Sequence, residues 1–253
     1  MYTLKIKKIF FKIFGVVFNG DCAMYDRYVW LKKNLVVLNE NSNFLDIGCG
    51  NGWSLFVARK IGFKSILGLS WNKEDLDRIY SRTSLFKNVK LLEGDARKLD
   101  EINFNIKFDA IVNSENIEHI LNSEKLISNI SKILNTGGLL YLTTPNLLYP
   151  KIYGEKNIKN PPKEDGGHVV RGYSRERLKI ILNKYNLKII STNYIGGKFN
   201  ILLLNFERYF PFRIRKIFTI PLTVIFNYLD NIFFKDSKNN LSIAIIAEKI
   251  DDL

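Results

Sequence analysis

Two carboxylates and a histidine stand close together in the run Ser-Glu-Asn-Ile-Glu-His at positions 114–119. Glu115, Glu118 and His119 have the spacing i, i+3 and i+4, which places them on one face of a helical turn. Two carboxylates and an imidazole on one face could converge on a divalent metal ion. A neutral imidazole can also take the proton of a hydroxyl group, which makes His119 and the second histidine, His168, candidate catalytic residues. Glu118, next to His119, is a third candidate. A hydrogen-bonded structural role is the alternative for His119.

A second cluster able to do chemistry is the turn Gly-Cys-Gly-Asn-Gly at 48–52, which follows a mainly apolar run at 44–47. Glycines at such a turn let a ligand approach the backbone next to the start of a helix. A dinucleotide-binding turn has the spacing G-x-G-x-x-G. Here the third glycine, Gly52, comes one residue early and Trp53 follows it, which disfavours a dinucleotide and its pyrophosphate.

Strands and helices alternate around these two clusters from residue 43 onward. Apolar runs predict strands, and periodic segments between them predict helices. Gly137 and Gly138 should end one helix and open the next strand, and Ser174 should cap another helix. This alternation predicts an α/β fold with parallel pairing and ligands at the carboxyl ends of the strands. We expect strands over 43–47, 65–69, 89–92, 108–112, 139–143, 187–193 and 241–248, and helices over 54–61, 73–86, 123–134 and 174–185.

The glycine turn, with Asp46 before it, resembles motif I of the class I S-adenosylmethionine-dependent methyltransferases, written D-x-G-x-G-x-G. Further segments follow in the family's order, among them Gly-Asp-Ala at 94–96 and Thr-Pro-Asn at 144–146. The resemblance implies a Rossmann-like fold with a mostly parallel seven-stranded sheet, helices on both faces, and S-adenosylmethionine as the cofactor. The cofactor-binding residues that it implies are Asp46, Gly48, Cys49 (through its backbone), Gly50, Ser70, Trp71, Asp95, Ala96 and Asn113.

The same resemblance implies roles for the polar and aromatic members of this set. Asp46 would anchor the amino-acid end of the cofactor, and Asp95 would accept a hydrogen bond from the adenine, which Trp71 would cover. Core packing is the alternative for Trp71, and helix capping is the alternative for Asp95. Ser70 departs from the family, which usually has an acid there to accept both ribose hydroxyls. Loss of one charge-assisted hydrogen bond would weaken cofactor binding by about 1–2 kcal/mol unless Glu74 or Asn72 compensates.

The run at 114–119 is similar to the E-x-x-E-H segment of the ubiquinone-pathway O-methyltransferases and of the small-RNA 2′-O-methyltransferases. In both groups the segment is associated with metal dependence, and the RNA group has a later histidine that His168 could imitate. Many small-molecule methyltransferases carry a similar Glu-His pair without a metal, so a divalent ion stays an open alternative. At the end of the fifth strand, Asn146 can point its polar side chain into the acceptor pocket.

The resemblance implies methyl transfer from S-adenosylmethionine to an oxygen of a small-molecule acceptor or of a lipid- or glycan-linked acceptor. Two alternatives stay open. One is an RNA methyltransferase. The basic charge favours it, but the sequence contains no recognised RNA-binding module. The other is a non-catalytic membrane-surface protein that retains the fold, an alternative raised by Ser70.

The net charge of +13 is unevenly distributed along the 253 residues. It is +4 for residues 1–40, +1 for 41–146 and +8 for 147–253, so the basic character lies outside the expected cofactor site. The codon bias of an AT-rich genome is a competing cause of this charge. We expect an N-terminal basic amphipathic helical segment at 1–40 and a methyltransferase domain at 41–253. Within that domain we expect an acceptor loop at 147–173 and a basic aromatic insertion at 196–240.

Apolar residues recur at helical spacing in 3–18 and in 222–234, which predicts two amphipathic helices. These helices could pack on the domain, or they could dock on an anionic membrane surface. The longest uncharged run near the C-terminus, 217–229, is interrupted by Pro221 and is shorter than the ~20 residues that span a bilayer. Two cysteines provide no disulfide framework, so we expect a cytoplasmic protein, peripheral at the inner membrane face if the helices dock.

Overall fold

A seven-stranded sheet forms the centre of the computed structural model, which describes residues 22–84, 86–149, 163–207, 212–235 and 237–251. The strand order is β3-β2-β1-β4-β5-β7-β6. All neighbours pair in parallel except β7, which is antiparallel to both β5 and β6. The predicted Rossmann-like fold with a mostly parallel seven-stranded sheet is therefore confirmed. The strands are β1 (Asn43–Ile47), β2 (Ser65–Ser70), β3 (Val89–Glu93), β4 (Phe108–Ser114), β5 (Leu134–Pro145), β6 (Leu187–Ile195) and β7 (Ser242–Lys249).

Helices cover both faces of the sheet. One buried apolar cluster joins the sheet to α1, α2 and α3, and a second joins it to α4 and α5. Because both faces are covered, the central strand β4 is buried along nearly its whole length. The helices are α1 (Cys22–Asn34), α2 (Trp53–Ile61), α3 (Lys73–Thr83), α4 (Ser123–Ile133), α5 (Arg175–Lys184), α6 (Lys198–Glu207) and α7 (Phe212–Phe233), with short 3₁₀ turns at Ala96–Glu101 and Ile117–His119.

The boundary between α4 and β5 differs from the prediction. Gly137 and Gly138 were expected to end the helix, but β5 already begins at Leu134, which pairs with Phe108 of β4. The pairing of the two strands is irregular just after this point. A Cβ on Gly138 would lie 2.8 Å from the Asn135 carbonyl oxygen, so this glycine permits close backbone packing inside the strand.

Residues 22–37 are part of the same core as the sheet. The predicted amphipathic stretch 3–18 lies outside the described residues, whereas residues 22–34 form α1. Leu31 of α1 is fully buried, and the Trp30 indole N–H donates to Asn193 Oδ1 of β6 at 3.1 Å. Helix α1 is therefore an integral layer of the domain and not a separate segment.

The insertion after β6 contains two helices, α6 and α7. The second predicted amphipathic helix, at 222–234, is confirmed but is longer than expected, because α7 already begins at Phe212 and continues through Pro221. In the part of the chain that the structure describes, no helix combines the length and the apolar character needed to cross a bilayer.

Candidate functional site

The glycine turn connects the end of β1 to the start of α2. Gly48, Gly50 and Gly52 have φ angles of 80°, 47° and 79°, a region that favours glycine. A Cβ on Gly48 would lie 3.1 Å from Asn116 Cγ, so the turn approaches the chain leaving β4 closely. The backbone N–H groups of Gly48 and Cys49 both donate to the Leu69 carbonyl of β2, at 2.9 and 3.0 Å. The Cys49 N–H is therefore paired within the protein, so the expected backbone contact with the cofactor would use its carbonyl oxygen, which can accept a second hydrogen bond.

Asp46 lies beneath this turn in the interior of the domain. Its side chain is 3% exposed, and Oδ2 accepts a hydrogen bond from the Ser54 hydroxyl in the first turn of α2. Burial raises the pKa of this carboxyl to about 7, and the Ser54 hydrogen bond opposes the shift. Asp46 thus anchors the helix that follows the turn, and its carboxylate does not face the outer surface of the turn.

A small cavity of about 80 Å³ lies at the carboxyl edge of the sheet, between the chain segments that follow β2, β3 and β4. It brings together three residues predicted to hold adenine, Trp71, Asp95 and Ala96, with His119 on the acceptor side. Trp71 is 65% exposed, so it is a cavity wall and not part of the core. Asp95 caps the 3₁₀ turn at Ala96–Glu101, so the predicted capping role is also present.

Arg97 is a residue of this cavity that no sequence pattern identified. Its Nε donates to Asp95 Oδ1 at 2.9 Å, and its Nη1 is 3.4 Å from Glu164 Oε2. These hydrogen bonds with Arg97 are the main cause of the lowered pKa of Asp95. The guanidinium therefore links the predicted adenine-binding acid to the acceptor loop.

Ser70 and Asn113 are buried behind the wall of this cavity. The Ser70 hydroxyl accepts from the Asn72 backbone N–H at 3.2 Å, and the Asn113 amide donates to the Ile47 carbonyl at 3.4 Å. Ser70 thus stabilises the turn that leaves β2, whereas Asn113 links the carboxyl ends of β4 and β1. Neither side chain lines the cavity beside Trp71.

Glu118, His119 and His168 lie together next to this cavity, which His119 lines and the other two do not. One ligand atom from each lies within 4.8 Å of the others. Glu118 is fully buried; its Oε2 accepts from the Thr144 hydroxyl at 3.1 Å, and its Oε1 lies 3.8 Å from His119 Nε2. The two imidazole rings stand edge to face with their centroids 4.7 Å apart. All three predicted catalytic residues are therefore neighbours in space.

The acid–base state of this cluster follows from its burial. Burial raises the pKa of Glu118 well above its ordinary value, and repulsion by Glu115 adds to the shift. Burial and the neighbouring His119 lower the pKa of His168, which favours its neutral form. His119 Nδ1 lies 3.0 Å from the Gly167 carbonyl oxygen. Because a carbonyl can only accept, Nδ1 carries the proton of the neutral ring, and Nε2 keeps a lone pair.

Glu115 does not join this cluster, contrary to the helical spacing that suggested it. Its φ angle is 49°, and the helical turn starts only at Ile117, so the three residues do not share a helical face. Glu115 Oε2 instead lies 3.7 Å from Arg27 Nη1 on α1. Arg27 is a second residue of the site that the sequence did not reveal.

The described part of the acceptor loop packs directly on the turn at Ile117–His119. The backbone N–H groups of Val169 and Val170 donate to the Glu118 carbonyl at 2.9 and 3.3 Å. At the base of the loop, the Leu147 N–H donates to the Tyr173 carbonyl, and the Tyr173 N–H donates to the Pro145 carbonyl, both at 3.0 Å. These bonds hold the segment carrying His168 against the end of β5.

Asn146, which could have pointed into an acceptor pocket, does not line the cavity beside His119. Its side chain is fully buried and donates to the carbonyls of Lys238 and Asn240, at 2.9 and 2.8 Å. The amide therefore fixes the chain that enters β7. Thr144, the first residue of the same Thr-Pro-Asn run, donates its hydroxyl hydrogen to Glu118 instead.

Comparison with known proteins places this site in a family. A family model described as a methyltransferase domain matches residues 25–192. The chain is 28% identical over 116 residues to the mitochondrial ubiquinone biosynthesis O-methyltransferase of Dictyostelium discoideum, covering 42% of this chain and 36% of that protein. It is 34% identical over 182 residues to the enzyme of the same name from Rattus norvegicus, covering 64% and 52%. The chain thus matches about a third to a half of the length of these relatives.

Solved structures share the fold over most of the chain. The O-methyltransferase of a trans-AT polyketide synthase from Brevibacillus brevis, solved with S-adenosyl-L-homocysteine, aligns with a TM-score of 0.57 and 19% identity. The alignment covers 88% of this chain and 71% of that chain. The family model spans more than half of the chain and includes the glycine turn, the adenine-side cavity wall and the Glu-His pair. The chain belongs to the family of methyltransferase domains.

Proposed function

We propose that this protein transfers a methyl group from S-adenosylmethionine to an oxygen of a small-molecule acceptor or of a lipid- or glycan-linked acceptor. The observation that carries the proposal is the position of His119, which lines the same cavity as Trp71 and Asp95 and also contacts the Glu118–His168 cluster. A hydroxyl group held at His119 would thus lie beside the cofactor. The relatives named as O-methyltransferases support oxygen as the methylated atom.

The protein's own task in this reaction is alignment and proton removal. The sulfonium of the cofactor is already an activated donor, so most of the rate enhancement comes from in-line positioning of the acceptor oxygen. His119 Nε2 is the proton acceptor, because the Gly167 carbonyl holds the proton of the neutral ring at Nδ1. Thr144 keeps the carboxyl group of Glu118 in place beside the imidazole.

As an alternative to proton removal by His119, the cluster Glu118, His119 and His168 would hold a divalent metal ion, and His119 Nε2 would then be a metal ligand and not the proton acceptor. One carboxylate and two imidazoles suit a first-row transition metal, and the buried Glu118 Oε1 has no hydrogen-bond partner among the described residues. When bound, such an ion would lower the pKa of the acceptor hydroxyl and orient it. Glu115 would stay outside the ligand set because it pairs with Arg27.

The decisive experiment separates cofactor binding from turnover. Calorimetric titration with S-adenosylhomocysteine measures binding, and transfer of labelled methyl from S-adenosylmethionine to fractionated metabolites and lipid extracts measures turnover. His119→Ala should lower turnover about 100-fold or more while changing the affinity for S-adenosylhomocysteine less than about 3-fold. Asp95→Ala is the matched control and should weaken binding instead. An equal loss of both properties in His119→Ala would contradict the assignment.

An RNA acceptor is the alternative that the later histidine favours. His168 lies beside the Glu118–His119 pair, as the resemblance to small-RNA methyltransferases implies. Binding of a short RNA should then fall steeply as salt rises, since phosphate contacts release counterions. Affinity for RNA that is independent of salt, or absent, would remove this alternative.

The partner surface that we propose is an anionic membrane on the cytoplasmic side. Exposed Lys198, Lys235 and Lys238 lie in the same insertion as an apolar surface on α6 and α7. Apolar side chains with nearby lysines favour an anionic bilayer interface. The exposed apolar residues of this surface are Leu202, Phe206, Val224, Ile225, Tyr228, Ile232 and Phe233.

Flotation with vesicles tests the membrane surface. The full chain should float with vesicles rich in phosphatidylglycerol and much less with phosphatidylcholine vesicles. Ile225→Asn should reduce flotation, whereas Ile180→Asn, at an exposed isoleucine of α5, serves as the matched control. Equal recovery of the protein with both kinds of vesicle would exclude electrostatic docking.

A further inference from the structure

A second cavity, of about 250 Å³, lies between α1, α7 and the end of β6. It shares no lining residue with the cavity beside His119. Pockets for drug-sized ligands have volumes of roughly 300–1,000 Å³, so this cavity suits a smaller ligand about the size of one sugar ring. The lining residues on which the argument depends are Asp26, Trp30, Tyr194, Asn227, Asp230 and Asn231.

Two buried carboxylates form a fixed part of the cavity wall. Asp26 accepts hydrogen bonds from the side-chain amides of Asn200, at 2.6 Å, and Asn227. Asp230 accepts from the backbone N–H groups of Phe199 and Asn200, each at 2.9 Å. The bonds connect α1, α6 and α7, so the wall is organised before any ligand arrives. Such preorganisation lowers the entropic cost of binding.

The cavity favours ligand groups that donate hydrogen bonds. Asp26 Oδ1 and Oδ2 each accept one amide hydrogen bond, from Asn227 and Asn200, and a carboxylate oxygen can accept a second one from a ligand. Asn231 donates its amide to the Asn227 carbonyl at 2.7 Å, which leaves the Asn231 amide oxygen as an acceptor. Carboxylate and amide oxygens together are suited to a row of hydroxyl groups.

Aromatic rings supply the apolar part of the same wall. Trp30 is held by its indole hydrogen bond to Asn193, and the rings of Tyr194 and Phe234 also line the cavity. A sugar ring has hydroxyl groups at its edge and C–H groups on its faces, so it matches a wall that combines polar oxygens with aromatic surfaces.

We propose that the cavity between α1 and α7 binds a polyhydroxylated ligand, either a free monosaccharide or one sugar unit of a larger glycan. This binding goes beyond the proposed methyl transfer, since it needs neither cofactor nor methyl acceptance. The lysines at the rim, Lys33 and Lys235, add positive charge beside the opening, so an anionic substituent on the sugar is tolerated there.

Saturation-transfer NMR on the full chain tests the proposal. The probes are glucose, N-acetylglucosamine and rhamnose, each as the free sugar and as its methyl glycoside. At least one probe should show saturation transfer, and Asn231→Leu should reduce it about 5-fold or more. Asn183→Leu replaces an exposed asparagine of α5 outside the cavity and should keep the wild-type signal. Binding of a methyl glycoside identifies a glycosidically linked unit, whereas binding of the free sugar alone identifies a free monosaccharide.

Two results would overturn the proposal. One is the absence of saturation transfer to all six probes in the wild-type protein. The other is a saturation-transfer signal that does not differ between Asn231→Leu and Asn183→Leu, whether both variants lose it or both keep it. Titration with S-adenosylhomocysteine on the same samples keeps the two proposals apart, because both variants should bind it as the wild type does whether or not sugar binding is found.

Discussion

Replacing Asp46 by asparagine removes a buried carboxyl from beneath the glycine turn. Asparagine keeps an oxygen that can accept the Ser54 hydrogen bond, so the substitution changes mainly the ionisable group. Burial raises the pKa of Asp46 from 3.8 to about 7. In the unfolded chain the carboxyl loses its proton near pH 3.8, whereas the folded protein holds the proton up to about pH 7.

The sign of the effect follows from proton binding. Between these two pKa values the folded state binds more protons than the unfolded state, so stability falls as pH rises and levels off above pH 7. One pKa unit corresponds to about 1.36 kcal/mol. Raising the pH from 5 to 8 should therefore lower the free energy of unfolding of the wild type by about 3 kcal/mol more than that of Asp46→Asn. Other titrating groups are common to both proteins and cancel in this difference.

Urea unfolding at pH 5, 6, 7 and 8, followed by tryptophan fluorescence and circular dichroism without cofactor, measures this difference. The control is Asp77→Asn on the exposed side of α3, which retains Asp46 and should keep the wild-type dependence on pH. Parallel curves for the wild type and Asp46→Asn would refute the reasoning, because they would mean that burial of this carboxyl does not shift its ionisation.

Three further substitutions test the packing around the acceptor loop. Gly172→Ala should lower the free energy of unfolding by about 2–4 kcal/mol, because its Cβ would lie 2.4 Å from a backbone oxygen of β5; thermal denaturation measures the loss. Thr144→Val should lower turnover about 10-fold without changing the affinity for S-adenosylhomocysteine, because Glu118 loses its hydrogen bond. Arg97→Ala should speed hydrogen exchange in the loop, because Glu164 loses its ion pair; unchanged exchange in mass spectrometry would contradict this.

The elements with purely local signals were predictable from the sequence. Strand β1 was predicted with its observed bounds, because a short apolar run is followed directly by glycines that cannot continue it. The start of β5 was not predictable in the same way. Leu134 becomes part of the strand because it pairs with Phe108, and such pairing depends on residues far apart in the sequence.

In the candidate site, too, the residues with a local sequence signal were predicted, and those brought in by packing of distant segments were not. Glu118 and His119 were found because they are adjacent in a recognisable run, and His168 is one of only two histidines. Glu115 was considered with them because of its helical spacing, but its backbone takes a left-handed conformation that breaks this spacing. Arg27 has no motif around it, since it reaches the site from α1 only after the helix packs on the domain.

The hydrogen bonds between Tyr173 and the chain at Pro145 and Leu147 have a consequence for how this protein can diverge. They close the segment between Leu147 and Tyr173 at its base, independently of what lies between them. Each doubling of the length of a closed loop costs only about 0.6 kcal/mol. A change in the length of the chain before Glu164 should therefore cost little stability while β5, the glycine turn and His168 keep their positions. The length of this segment can thus change without rebuilding the sheet.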